Sequence, residues 1–407
     1  MSSITHALGN RNILIVGAGI AGPVLAHFLH RFGMKSVVVE RTPQLRTVGQ
    51  TVDLRFAAIE VARRMGLEEK IRERCTKECG VAFVDKLGRT QVAFHVDTFG
   101  GQGFVSEIEI LRGELANILY EHTSHHTEYI FDDYPVSMNE NNDHVQVVLN
   151  SGNTRNFDLV IGADGMHSTT RRLIFGDDSF IHYLGMYIAY FTIPYEDSDS
   201  NWARFYRTSG GRSILIRPDN QGTTRAYLAF YSKERGYEKL DKNKQKELLH
   251  KVFENVGFEA SRVLNGLNNA DDFYFEDIGQ IKMNQWSKGR VALIGDAAHC
   301  ASPLSGMGTS LAFIGPYFLA GELSRHRDHT EAFKQYELLT RPYVKEAFKL
   351  PSINMRFGYP KTSFGIGLST AMQKFVVRPS VARIITKLMA NRTAQGVSLP
   401  QYESRIA

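Results

Sequence analysis

The chain has 407 residues, 43% of them hydrophobic and 22% charged, with a formal net charge of +5. That length exceeds one ordinary core and implies about two or three domains of a normal globular protein. The charge is modest and gathers in no block of like sign, so no nucleic-acid partner is expected, and no run reaches the ~18 apolar residues of a membrane span.

In chain order, residues 1–12 are polar and lack the apolar stretch and cleavage signal of a secretory leader. Residues 13–16 are a compact apolar run, and Gly17-Ala18-Gly19-Ile20-Ala21-Gly22 follows directly. Val24, Leu25, Phe28, Leu29 and Phe32 then recur at helical spacing, and Gly33 closes the helix. Val37, Val38 and Val39 make a second buried strand ending at Glu40, 18 residues beyond Gly22. Strand, glycine turn, helix, strand and acid in this order mark a dinucleotide-binding unit. Gly17 permits the tight turn, Gly19 lets a pyrophosphate lie against the backbone, and Gly22 lets helix and strand pack closely. Glu40 can accept both hydroxyls of an adenosine ribose. This unit does not decide between FAD and NAD, but a similar strand end returns at Gly295-Asp296, about 270 residues later, which a single nicotinamide domain would not usually need.

Gly49 suggests a turn near the cofactor, and Asp53 and Arg55 either point back toward it or stay solvated. Residues 56–65 are predicted as a helix stopped by Gly66. Cys75 and Cys79 would share a helix face, but no His or further Cys stands near them, so no metal is expected. Three cysteines make a disulfide framework improbable and fit a reducing, cytoplasmic setting. Residues 83–85 and 91–96, joined through Leu87-Gly88-Arg89, are predicted as a hairpin. Residues 109–115 open another helix running to about Glu121. Its Arg112 is badly placed for the helix dipole, so it either has a specific anionic partner or is a surface arginine. Residues 129–131 and 145–149 read as strands on either side of the polar turn 139–143.

Residues 157–165, F-D-L-V-I-G-A-D-G, give another buried strand ending in small residues and Asp164, and residues 168–173 begin the next helix. Aromatic-rich alternation follows over residues 186–193, 203–207, 213–217 and 225–231, predicting an antiparallel sheet, one face of which can roof a pocket. Tyr190, Arg207 and Arg217 line that pocket or face solvent. Residues 239–256 are predicted as a charged helix, and 272–281 as a strand returning to the first unit. Residues 291–294 form a buried strand that Gly295-Asp296 ends, at the edge where open parallel sheets bind ligands. After Pro303, Gly306-Met307-Gly308 leads into a helix from Leu311. Glycines there let a flat ligand approach, and the free N–H groups of the first turn stabilise negative charge on it. With Asp296 opposite, this suits a ribityl chain and an electron-rich flavin ring. Beyond Leu350 the chain is punctuated by Gly, Phe and Pro, and a helix is predicted only over 380–389.

Together, G-A-G-I-A-G with Glu40-Arg41, I-L-R-G-E-L, D-L-V-I-G-A-D-G-M-H-S and R-V-A-L-I-G-D-A-A-H resemble the FAD-dependent aromatic hydroxylases, typified by para-hydroxybenzoate hydroxylase, over residues 13–322. Within that family G-Q-T-V-D-L-R, S-P-L-S-G-M-G-T-S-L-A-F and L-P-Q-Y-E-S are similar to the branch of tetracycline-inactivating monooxygenases. The fold expected is α/β. A Rossmann-like FAD-binding domain with a parallel sheet takes residues 1–75, 100–181 and 275–350, an inserted antiparallel-sheet substrate domain takes 76–99 and 182–274, and a C-terminal helical segment takes 351–407. The resemblance implies that Gly17, Gly19 and Gly22 hold the pyrophosphate and Glu40 with Arg41 the adenosine end. It puts Arg112 at the ribityl-phosphate region, Asp296 on a ribityl hydroxyl, and Met307 and Gly308 beside the isoalloxazine ring, in one loop with Pro303 and Gly306. Asp164 matches a segment that meets both FAD and reduced nicotinamide, Asp53 an FAD contact and Arg46 a nicotinamide contact. Many relatives carry Asn where this chain has Ser310, and the substrate sheet offers no residue-by-residue match.

The function expected is that of an FAD-dependent monooxygenase, with NADPH or NADH as reductant. It would hydroxylate an electron-rich phenolic, enolic or polyketide-like small molecule, tetracyclines included. Such chemistry needs positioning, a water-poor cavity and donors toward the ring, so no catalytic side chain is named and His299 is expected to pack or hydrogen-bond near the flavin. The alternatives are a flavin oxidase or dehydrogenase without oxygen insertion, and a non-catalytic binder resembling the Rab escort and dissociation-inhibitor proteins. A monomer or dimer is expected.

Overall fold

The computed structural model describes residues 11–46, 49–101, 106–176, 180–394 and 399–402. The buried strands meet in a six-stranded sheet, ordered Ser287–Lys288, Val291–Leu293, Leu159–Gly162, Asn12–Val16, Lys35–Glu40 and Glu128–Phe131. All neighbouring pairs in it are parallel except the first. Ile13, Ile15 and Ile161 belong to a core with Val24, Leu25 and Phe28 of helix Ala21–Arg31 and Leu311 and Phe318 of helix Gly308–Arg325. Leu14, Val16 and Val160 face the other way, onto Val145, Val147 and Leu149 of a small three-stranded sheet. With both faces covered, residues 13–16, 37–39, 159–161 and 291–293 are unbroken apolar runs. The registers Val16↔Gly162 and Gly162↔Leu293 bring the ends of three segments, widely separated in the chain, to one edge.

A second sheet has seven strands, ordered Tyr274–Ile281, Ile181–Pro194, Thr223–Tyr231, Arg212–Pro218, Trp202–Thr208, Gly80–Val84 and Thr90–His95. Only the pair Trp202–Thr208 and Gly80–Val84 is parallel. Tyr187, Phe191, Leu228 and Phe275 on one face pack against Leu249, Phe253, Val263 and Leu267 of the helices Lys242–Phe253 and Ala260–Asn269. Met186, Ile188, Tyr190, Tyr227, Ala229 and Ile278 point to the other face. A two-stranded ladder, Thr51–Asp53 with Glu109–Leu111, lies between the large sheets: the Thr51 N–H donates to Tyr227 Oη at 3.2 Å, and Arg217 pairs with Glu109.

The structure corrects several expectations. Residues 109–111 do not open a helix; they extend along Thr51–Asp53 with Ile110 fully buried, and the helix Arg112–Thr123 begins three residues later. A strand Pro135–Glu140 pairs with Val145–Leu149, so the polar turn joins those two, while Glu128–Phe131 belongs to the parallel sheet. Pro135, Ser137, Asn139 and Glu140 had hidden it, as a proline at a strand start and polar side chains at a rim do. Cys75 and Cys79 share no helix face, because helix Glu68–Glu73 ends first and Cys75 bridges to Ile110. Beyond Leu350 the chain is mostly helical: His329–Gly358 runs through Pro342 and Pro351, and Ser363–Val376 and Pro379–Ala394 follow. Packing of buried Phe333, Tyr336, Val344 and Ala347 outweighs the proline penalty there.

Candidate active site

The first wall of the cleft is the glycine turn after Asn12–Val16. Gly17 has φ 111°, and a Cβ there would stand 2.6 Å from the Ala163 carbonyl oxygen, so only glycine fits between the first and third segments. A Cβ on Gly22 would meet the Gly17 oxygen at 2.0 Å, so the helix start packs directly on the turn. Glu40 fastens the turn to the second strand: its carboxylate accepts from the Ala18 N–H at 2.8 Å, the Thr42 N–H at 3.1 Å and Thr42 Oγ1 at 3.0 Å. Arg41, just outside, donates to Thr169 Oγ1 at 2.5 Å and lies 4.9 Å from the Tyr134 ring centroid.

Arg112 is the decisive cation. Because the ladder delays the helix, it occupies the first helical position, its N–H bound to the Gln50 carbonyl at 3.0 Å. Its guanidinium reaches over the glycine turn, Nη2 lying 3.4 Å from where a Gly19 Cβ would be. It makes no hydrogen bond or ion pair with any described residue. Burial, and then Arg46, hold it below the ordinary guanidinium range, while Asp296 and Glu40 act in the opposite sense. A half-buried guanidinium poised over a glycine turn, with no partner among the described residues, suits an anion between Arg112 and the Gly19 backbone. A diphosphate supplies it.

The second wall follows Val291–Leu293. Gly295, at φ 57°, starts the one-turn helix Asp296–His299. Asp296 is open to the cleft yet ringed by protein, and burial raises its carboxyl above the usual range against the pull of Cys300 and Arg112. The loop then turns at Pro303–Ser305 and Gly306, and Met307 precedes the 18-residue helix that Gly308 opens. Its two glycines each face a carboxylate: Asp53 Oδ2 is 3.7 Å from a Gly306 Cβ and Asp296 Oδ1 is 3.9 Å from a Gly308 Cβ. Asp53 also pairs with Arg55 at 2.8 Å, and its buried Oδ1 has no hydrogen-bond partner among the described residues. Ser310 is buried and accepts from the Arg55 N–H at 3.0 Å, so it faces the backbone rather than the cleft. Asp164 works locally, accepting from Ser168 Oγ at 2.5 Å and from Thr170 N–H and Oγ1 at 2.9 and 3.0 Å. Arg46 is exposed at the cleft, within electrostatic reach of Arg112 and Tyr274. Of the two arrangements expected for His299 the structure shows packing: its ring lies 4.6 Å from that of Trp286 in the core, and burial depresses it to about 3.

The seven-stranded sheet lies beside the cleft, and its aromatic face is the candidate wall of a substrate chamber: Tyr274 on its edge strand is within electrostatic reach of Arg112 and Arg46, and its ring lies 6.3 Å from that of Tyr190. Tyr190 and Tyr227 meet edge-on at 5.1 Å, and Leu304, Met355 and Tyr359 pack against the same face. Tyr190 therefore belongs to this chamber. Arg217 and Arg207 do not face solvent either: Arg217 is buried between Glu78 and Glu109, 2.7 Å from each, and Arg207 holds the helix Ser363–Val376. Burial lifts both glutamates above the usual carboxylate range against the pull of Arg217, and each repels the other or Asp53. Two residues absent from the expectations stand at the junction of chamber and cleft. Tyr274 Oη donates to Glu276 Oε2 at 3.1 Å, and burial, with repulsion from Asp296 and Asp277, pushes Glu276 up to about 7 despite that bond and Arg112.

A glycine-lined cleft whose arginine has no partner among the described residues, beside an aromatic sheet face, fits FAD. The FAD binding domain family matches residues 10–346, and over 97% of its length the chain is 36% identical to a flavin-dependent monooxygenase of Legionella longbeachae, covering 99% of that relative. The chain belongs to the flavin-dependent monooxygenases. This monooxygenase is also 33% identical to the FAD-dependent monooxygenase asL6 of Sarocladium schorii, over 96% of its own length and 97% of that relative. The tetracycline destructases Tet(51) and Tet(55) superpose with TM-scores of 0.79 and 0.80 at 32% and 33% identity, covering 97% of this chain and 99% of each of theirs. Klebsiella pneumoniae HpxO complexed with FAD and uric acid shares the fold, with a TM-score of 0.75 over 95% of this chain and 97% of its own, at 19% identity.

Proposed function

We propose that this monooxygenase takes electrons from NADPH or NADH and hydroxylates an electron-rich phenolic or enolic carbon of a polyketide-like small molecule, tetracycline-type rings among them. The observation that carries this reading is the junction itself: the polar cleft around Arg112 and Asp296 adjoins, through Glu276, a sheet face lined by Tyr190, Tyr227 and Tyr359. In this reading Gly17, Gly19, Gly22 and Arg112 grip the diphosphate, Glu40 and Arg41 the adenosine end, and Asp296 a ribityl hydroxyl. Asp53, Pro303, Gly306, Met307 and Gly308 shape the slot for the ring, while Arg46 and the Asp164 segment meet the nicotinamide. These residues would hold FAD, which when bound would supply the capacity to take hydride from the nicotinamide and to activate O2.

The side chains of the chamber bind, orient and dry the substrate. The first turn of Gly308–Arg325 presents free N–H groups to charge on the ring. Tyr190, Tyr227, Leu304 and Tyr359 exclude water and stack on a flat substrate. A phenol or enol is a better nucleophilic carbon once ionised, and Glu276, oriented by Tyr274, is the carboxylate that takes its proton. Relatives that include tetracycline destructases support a substrate of this kind.

The test is a screen of purified, FAD-loaded protein for NADPH and NADH consumption stimulated by tetracyclines and polyketide-like phenols, with product mass read in parallel. A product heavier by one oxygen is expected. Peroxide release without an oxygenated product for every compound sinks the reading and leaves an oxidase.

A further inference from the structure

The C-terminal helices carry an apolar ridge that the flavin chemistry does not use. On Ser363–Val376, Phe364, Leu368, Met372 and Phe375 are 81%, 62%, 40% and 53% exposed. At about 100° per residue they fall within an arc of roughly 80°, and so form one stripe. The opposite side of the helix is anchored: the buried Arg207 guanidinium donates to Ser369 Oγ, Thr370 Oγ1 and Gln373 Oε1, each at 3.0 Å. The stripe is thus turned outward by a specific contact on its back. Ile384, on the neighbouring helix Pro379–Ala394, is 61% exposed as well. Isolated exposed apolar residues need no explanation, but a ridge of this length on one anchored helix does.

The charge carried by this segment of the chain has a single sign. Residues 347–402 contain Lys349, Arg356, Lys361, Lys374, Arg378, Arg383, Lys387 and Arg392, eight cations, and no Asp or Glu. The whole chain is close to balanced, with 48 Lys and Arg against 43 Asp and Glu, so the bias belongs to this segment. Lys361, Lys374, Arg378, Arg383 and Lys387 are all exposed.

We propose that the helices Ser363–Val376 and Pro379–Ala394 dock this enzyme on an anionic lipid surface, with Phe364, Leu368, Met372 and Phe375 in the acyl boundary and the flanking lysines and arginines among the headgroups. Charge decides the occupant. A second copy meeting this face across a two-fold axis would set cations against cations, whereas anionic headgroups neutralise them. Among the described residues no helix is long and apolar enough to cross a membrane, so the helix lies in the plane of the interface. Tyr359, in the chamber wall, precedes Phe364 by five residues. Docking therefore sets the chamber beside the bilayer, from which an apolar polyketide-like substrate can be drawn.

Co-sedimentation of the FAD-loaded full chain with phosphatidylcholine vesicles holding about one-third phosphatidylglycerol tests this without any turnover, so its outcome is separate from that of the substrate screen. Binding is expected to the anionic vesicles and not to pure phosphatidylcholine, and to fall as salt rises from about 0.1 to about 0.5 M. Phe364→Ser with Phe375→Ser should weaken it about tenfold while flavin content stays unchanged. Lys374→Gln with Arg378→Gln and Arg383→Gln, which leaves the ridge intact, should remove the preference for anionic lipid. Failure of the native chain to sediment with anionic vesicles overturns the proposal, as does undiminished binding by both variants. A concentration-dependent dimer that the serine variant abolishes, with no vesicle binding, assigns the ridge to a second copy instead.

Discussion

In the cofactor cleft, Gly17, Gly19 and Gly22 stand within six residues of one another, and Gly17 and Gly22 are each needed for a contact made by the backbone. In the aromatic chamber, Tyr190, Leu215, Tyr227 and Glu276 come from four strands, and they meet only because registers such as Ile188↔Glu276 and Tyr190↔Tyr227 align. The first wall of the cleft is thus specified locally, with Gly17 and Gly22 leaving no room for a side chain. The chamber is specified by pairing, and its side chains can vary while the sheet stays the same. A chain built this way can keep its cofactor while its substrate changes.

The comparison can be broken most severely at Gly17. With φ 111° and the Ala163 oxygen 2.6 Å from any Cβ, Gly17→Ala must displace the turn, and the protein should purify without the yellow of flavin while circular dichroism shows both sheets intact. A fully yellow variant would show that the turn does not grip the cofactor. On the chamber side, Arg217→Met leaves Glu78 and Glu109 buried without their cation. Urea denaturation near neutral pH should report a loss of about 3–5 kcal/mol, smaller in mild acid, where the carboxyls can neutralise themselves by protonation. An unchanged midpoint would mean that the bridge between the sheets contributes nothing.

Glu276 sharpens the contrast, since it lies where the regions join. Its carboxyl is raised to about 7, so the proton-accepting form grows as pH rises through neutrality, and kcat/KM for a phenolic substrate should rise with it. Glu276→Gln should lower turnover by about a hundredfold, flatten that rise and leave the flavin bound. Loss of flavin would place the residue in the cleft's machinery instead. The smallest effect is expected behind the glycine turn, where His27 on helix Ala21–Arg31 is lowered from 6.5 to about 3 by burial and the neighbouring His122. The folded state holds it neutral and the unfolded chain does not, so its contribution is whole above about pH 6.5 and lost as pH falls toward 3. By pH 5 the loss is about 2 kcal/mol, and His27→Gln should soften the acid limb of a stability curve by that amount. An unaltered limb would acquit this histidine.

What could be read in the chain follows the same division. The strand, turn, helix and acid of residues 13–40 are contiguous, so their order alone disclosed the first wall, and Arg112 stayed in a first helical turn even though that helix starts three residues later than expected. Glu276 was hidden because Glu276 and Asp277 adjoin, and nothing local says which one faces the chamber. Pairing does: Glu276 lies opposite Ile188 on the chamber face, and Asp277 opposite Tyr187 on the helix-covered face. Arg217 and Arg207 failed for a related reason, since their partners Glu78, Glu109, Ser369 and Gln373 lie more than a hundred residues away. The C-terminal helices were obscured by their own glycines and prolines, which local preference reads as breaks and tertiary packing overrides.

Leu399–Tyr402 has a consequence for biogenesis. Gly321 leaves a notch in helix Gly308–Arg325 that the Tyr402 ring fills, and the Pro400 carbonyl accepts from Arg64 at 2.8 Å. The helix whose first turn faces the ring slot is therefore clamped by residues that leave the ribosome after every other part of the slot has been made. A nascent chain stalled ahead of that clamp would have its glycine turn and its sheet, yet its grip on flavin would remain unfinished until the final stretch arrived.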